Sequence, residues 1–132
     1  MNNNHIVPGF DKNKNETLRI ELTKAKNLPS CLVLSLIGYC DIINAEQFRK
    51  RVFRAINAGF TRLVFNCAGF NFVSSIFIDC LLAFRKELQP KGGDFILAEV
   101  QPLVFKCFQM LGFSKFFHFA ETNEEAISSF HW

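Results

Sequence analysis

The chain has 132 residues, is 49% hydrophobic and carries a formal net charge of +3, which suits one domain with a single core and leaves no strongly basic face for nucleic acid. Five cysteines, odd in number and without a C-x-x-C pair, fit a reducing cytoplasm better than a disulfide framework. The opening MNNNHIVPGF lacks a basic region leading into an apolar run, and no apolar stretch approaches the ~18 residues of a membrane span, so a soluble cytoplasmic protein is predicted.

Residues 1–16 are polar and aperiodic, with Pro8-Gly9 as a loop signal, and predict a flexible tail ahead of a domain over 17–132. From Thr17 the pattern changes. Leu18, Ile20 and Leu22 alternate with polar residues as in a half-buried strand, NLPS turns the chain, and CLVLSLIGY is a second, more continuous apolar strand, so the two predict a hairpin at a sheet edge. NAEQFRKRVFRAINAG predicts a helix capped by Asn44 with Gln47, buried along Phe48, Val52, Ala55 and Ile56, and stopped at Gly59. Its Arg49, Lys50, Arg51 and Arg54 predict a solvated basic face.

RLVFNCA has the apolar density of a central strand covered on both faces. NFVSSIFIDCLL then starts a second helix with Ile78, Leu81, Leu82 and Leu88 inward, ended by Pro90 and Gly92-Gly93. DFILAEV is a further strand, Pro102 opens and Gly112 closes a third helix, KFFHF predicts one more short strand, and Thr122 with Glu125 predicts a capping box for a last helix through Phe130. Strand and helix alternate. The fold class is therefore α/β, one domain built on a mixed, mainly parallel sheet of four to five strands with about four helices, its functional loops at the carboxyl ends of the strands.

Catalytic and metal chemistry find little support. His5, His118 and His131 have no i, i+4 partner, no cysteine has a histidine close in sequence, and Gly92-Gly93 follows a helix where a phosphate loop would follow a strand, so no catalytic residue, metal or cofactor is predicted. A thiol enzyme using Cys67 is the remaining enzymatic alternative. Ser74 and Ser75 stand at a strand-to-helix junction, where either hydroxyl can cap the helix and a phosphate would be tolerated by the helix dipole, with which Asp79 in the opening turn also interacts favourably.

GYCD at a strand end, LVFNCAGFNFVSS before a helix, KGGDFILAEV, and LGFSKFFHFAETNEEAISSF follow one another in an order that resembles the STAS family, whose best-known members are bacterial anti-sigma factor antagonists. The resemblance runs from about Thr17 to Phe130. Gly38 and Asp41 match that family's G-x-x-D element; Asn66, Phe72, Ser74 and Ser75 align with a second element, D-L-S-x-V-x-F-x-D-S-S-G-L, in which Ser75 takes the place of the serine that a partner kinase phosphorylates. The family glycine two residues later is Phe77 here, either filling the space or adding an apolar contact.

The resemblance implies a non-enzymatic module that binds an anti-sigma factor with serine-kinase activity, is switched off by phosphorylation of Ser75 (or of Ser74), and is restored by a serine phosphatase. It implies a partner surface made of Asp41, Asn44, Ser74, Ser75, Ile76 and Phe77. The alternative keeps the fold without the switch, as an adaptor in a stressosome-type assembly or beside a transporter; a homodimer is left open. Six phenylalanines between Phe105 and Phe119 fit either core or a partner contact.

Overall fold

The computed structural model describes residues 3–13 and 15–130. Five strands form one sheet in the order β1 (Leu18–Lys24), β2 (Cys31–Tyr39), β3 (Arg62–Phe72), β4 (Asp94–Ala98) and β5 (Phe119–Ala120). β1 runs antiparallel to β2 and every later pair is parallel. The hairpin at the edge and the central β3 thus stand as the hydrophobic periods predict. The strand expected at KFFHF is shorter and shifted, with only Phe119 and Ala120 pairing β4.

Helices α1 (Ala45–Asn57), α2 (Ser75–Leu88) and α3 (Pro102–Met110) pack over one sheet face, where Leu34, Phe65, Phe95 and Leu97 meet Phe48, Phe84 and Phe108. The opposite face carries α4 (Asn123–Ser128), whose Ala126 closes over Val33, Val64, Ile96 and Ala98. β3 and β4 are therefore buried on both sides, which is why their sequence is apolar without alternation. Among the phenylalanines of the 105–119 segment, Phe108 and Phe117 are core and Phe116 is half exposed under the Arg85 guanidinium, 5.1 Å from its ring centroid.

The segment before β1 departs from the expected flexible tail. Residues 3–5 and 10–13 form short 3-10 turns, and Val7 and Phe10 lie in the main core. Asn3 donates from its amide nitrogen to the Ile20 carbonyl at 2.7 Å and accepts from the Leu22 amide at 3.1 Å, so one side chain supplies two ladder bonds to the outer edge of β1. Arg51, expected on a solvated face, is 2% exposed: its guanidinium lies 4.6 Å from the Phe10 ring centroid and 3.4 Å from Asp11. The folded N-terminal segment covers that side of α1 and so buries the cation. Lys50 does face solvent and pairs with Glu46 at 3.4 Å.

Candidate functional site at the strand ends

The carboxyl ends of β2 and β3 meet the first turns of α1 and α2. Tyr39, the last residue of β2, is in register with Phe72, the last of β3. Gly38 just before it has φ +118°, and a Cβ there would fall 2.1 Å from the Thr17 carbonyl oxygen. Only glycine fits that approach. Tyr39 donates its backbone N–H to the same carbonyl at 3.1 Å, which fixes where β2 ends and where the turn 41–44 begins.

Asp41 organises that turn. One of its carboxylate oxygens accepts the backbone N–H groups of Ile43 and Asn44, each at 2.9 Å, satisfying donors that precede α1. Asn44 occupies the N-cap position but makes no side-chain cap bond. Its side chain turns inward instead, accepting from the Asp41 amide at 2.9 Å and donating to the Thr17 hydroxyl and the Tyr39 carbonyl, both at 2.9 Å. Asn44 is 1% exposed, so the expected cap and partner contact is an internal brace. Asp41 already serves the helix entry, which frees Asn44 to join Thr17, just ahead of β1, to the end of β2 and the turn.

The two serines divide their work. The Ser74 hydroxyl accepts the Phe77 amide at 3.2 Å, the N-cap bond of α2, and donates to the Cys40 carbonyl at 3.1 Å. Ser75 is the first residue of α2 and is exposed. Ile76 is partly buried, packed against the core. Phe77 is fully buried, its ring centroid 4.4 Å from that of Phe70 and 5.9 Å from that of Phe48 in a stacked pair. Of the two options left by the family glycine, this benzyl group takes the interior one and offers no surface contact. Burying it contributes roughly 1.5–3 kcal/mol.

Exposed apolar side chains lie on the turn after β2 and at the end of β3, where the sequence reading did not single them out. Ile42 and Ile43, on the turn after β2, are 79% and 76% exposed, and Phe72 is 56% exposed one residue before Val73-Ser74. Their clue in the sequence is two consecutive isoleucines next to Asp41 in a turn, where polar residues are the rule. Asn66, in the place of the family's first aspartate, bonds Asn123 at 2.8 Å and accepts from the Ala68 amide at 3.0 Å, so it anchors α4 to β3 on the far face. Gln101 donates to the Ala68 and Phe70 carbonyls and holds the start of α3 to the last turns of β3.

The Cys67 alternative is poorly equipped. Burial pushes its thiol up to about 12, and it is 1% exposed with its proton directed at the Phe65 carbonyl. Among the described residues no three His, Cys, Asp or Glu side chains are grouped to hold a metal, and no helix is long and apolar enough to cross a membrane.

Similarity to known proteins follows the same outline. BtrV of Bordetella bronchiseptica, a candidate anti-sigma factor antagonist, is 28% identical over 111 residues, 84% of this chain and 95% of that one. An anti-sigma F factor antagonist of Lysinibacillus sphaericus is 32% identical over 97 residues, 73% of this chain and 82% of its own. The solved structure of the antagonist SpoIIAA in its unphosphorylated form superposes with a TM-score of 0.69 at 29% identity, covering 83% of this chain and 94% of that one. SpoIIAA of Bacillus in its phosphorylated form gives 0.61 at 26% identity, covering 85% and 99%. The family profile for the STAS domain matches residues 22–126, and the chain belongs to that family.

Proposed function

We propose that this chain is a regulatory binding module that docks an anti-sigma factor with serine-kinase activity through the strand-end surface around Ser75, and that phosphorylation of Ser75 releases it. A serine phosphatase returns it to the binding form. The observation that carries this reading is the split between the serines: Ser74 is spent on the cap, while Ser75 stands exposed on the first turn of α2.

A phosphate on Ser75 meets the positive end of the helix dipole and leaves the Ser74 cap intact, so the fold tolerates it. It adds up to about two negative charges beside Ile42, Ile43 and Phe72, where docking requires those apolar groups to leave water. Burying such a charge without a matching cation costs far more than a docking interface of modest size returns. Relatives named as anti-sigma factor antagonists, and a structural neighbour seen with and without phosphate, support the same reading. Asp41, Ser74 and Ile76 are the neighbouring contacts it uses; Asn44 and Phe77 support the surface from within.

A second reading, a constitutive adaptor without the switch, draws on Met110, Leu111 and Phe116, exposed apolar residues at the far end of α3. The two separate on one experiment. Incubating the protein with native lysate and ATP, then mapping phosphate by mass spectrometry, yields modification at Ser75 and none in Ser75→Ala under the first reading. An unmodified protein that stays in a stable complex through the same incubation favours the adaptor.

A further inference from the structure

The carboxyl ends of β4 and β5 open on a groove of about 420 Å³ that the surface around Ser75 does not use. Glu99, the residue after β4, donates its backbone N–H to the Ala120 carbonyl at 3.1 Å, which brings it beside Glu121, the residue after β5. Glu125 lines the same opening from the first turn of α4, where the Thr122 hydroxyl accepts its amide at 3.0 Å. The walls between these carboxylates are apolar, with Val100 ahead of α3, Phe105 on α3 and Phe119 on β5. The Phe119 ring stands edge-on to Phe105, centroids 5.0 Å apart, and to the core ring of Phe108 at 5.2 Å, so the wall is preformed. Every charged side chain that lines the groove is acidic, in a chain of net charge +3. Among the described residues the ion pairs lie elsewhere, at Asp11, Glu46 and Asp94, and none supplies a cation to Glu99, Glu121 or Glu125.

We propose that this groove docks an apolar segment of a partner protein that carries an arginine. Its three carboxylates are not grouped tightly enough to hold a metal ion, so the cation they suit is a larger one. A guanidinium answers both features of the groove: its flat face stacks on a phenylalanine ring while its N–H groups donate to the carboxylates at the rim. An ammonium answers the charge alone. The apolar surface also continues outward, since Pro102 lines the groove and Leu103 beside it is 79% exposed, which suits a chain segment better than a free small cation. Nucleic acid and anionic lipid are repelled by the same carboxylates.

The groove is separate from the Ser75 surface, and the inference stands whatever binds there. Its test titrates the full isotope-labelled chain with the acetylated, amidated peptide ALRLRA and follows backbone amides by NMR. Shifts are expected to cluster at Glu99, Phe105, Ala120 and Glu121, to be weaker with the lysine peptide ALKLKA and to be absent with ALELEA. Glu99→Gln and Glu121→Gln, both at exposed positions, should each weaken binding by about three- to fivefold. Glu87→Gln on the exposed side of α2, and Ser75→Asp, should leave it unchanged. No shift with the arginine peptide, equal shifts with the glutamate peptide, or affinity indifferent to the loss of Glu99 and Glu121 overturns the proposal. Shifts that gather instead at Ile42, Ile43 and Phe72 also overturn it and leave the Ser75 surface as the docking site.

Discussion

The Ser74 hydroxyl donates to the Cys40 carbonyl at 3.1 Å, which ties the first turn of α2 to the end of β2 while the same oxygen caps the helix. Ser74 therefore serves the fold and Ser75 is left to the surface. Ser74→Ala is expected to lower stability by about 1 kcal/mol, and Ser75→Ala to change it by less than about 0.5 kcal/mol. Urea denaturation of the two variants against wild type checks the difference; equal losses would mean that both hydroxyls are structural.

Asn44 makes three hydrogen bonds while nearly excluded from solvent, so its removal leaves the Tyr39 carbonyl and the Asp41 amide short of partners. Asn44→Ala is expected to cost about 2–3 kcal/mol, more than the loss of an exposed cap. The midpoint of chemical denaturation reads it directly.

Phe77 shows how this chain uses the position that the resemblance matches to a family glycine. Restoring glycine would empty the space between Phe48 and Phe70 and place a flexible residue in a helix, at a combined cost of about 4–6 kcal/mol. Phe77→Leu should cost much less, since most of the volume is kept. Thermal melts of the pair test whether the ring is core filling, because a surface contact would make both changes nearly silent.

The N-terminal segment carries a comparable load. Phe10→Ala is expected to cost about 3–5 kcal/mol, and Asp11→Ala to leave the buried Arg51 guanidinium without its carboxylate, at about 3 kcal/mol. Amide hydrogen exchange offers an independent check, with protection expected at Leu22, whose N–H is held by Asn3.

Hydrophobic period made most of the fold legible. Alternation in β1, dense apolar runs in β3 and β4, and the stops at Gly59, Gly92 and Gly112 each record a local constraint, and the parallel order follows from alternating strands and helices. The N-terminal packing was not legible, because Val7 and Phe10 are isolated apolar residues in a polar stretch and declare themselves only against α1. Ser74 and Ser75 could be placed at the helix start but not told apart, since the choice depends on the Cys40 carbonyl 34 residues away. The direction taken by Phe77 and the inward turn of Asn44 depend likewise on partners distant in sequence.

The central claim is that a charge at Ser75 decides docking. Its most direct test is affinity capture from native lysate on three baits: wild type, Ser75→Ala and Ser75→Asp. A kinase-like anti-sigma factor retained by the first two and lost from the third is the expected result. The same kinase-like partner held equally by all three would contradict it.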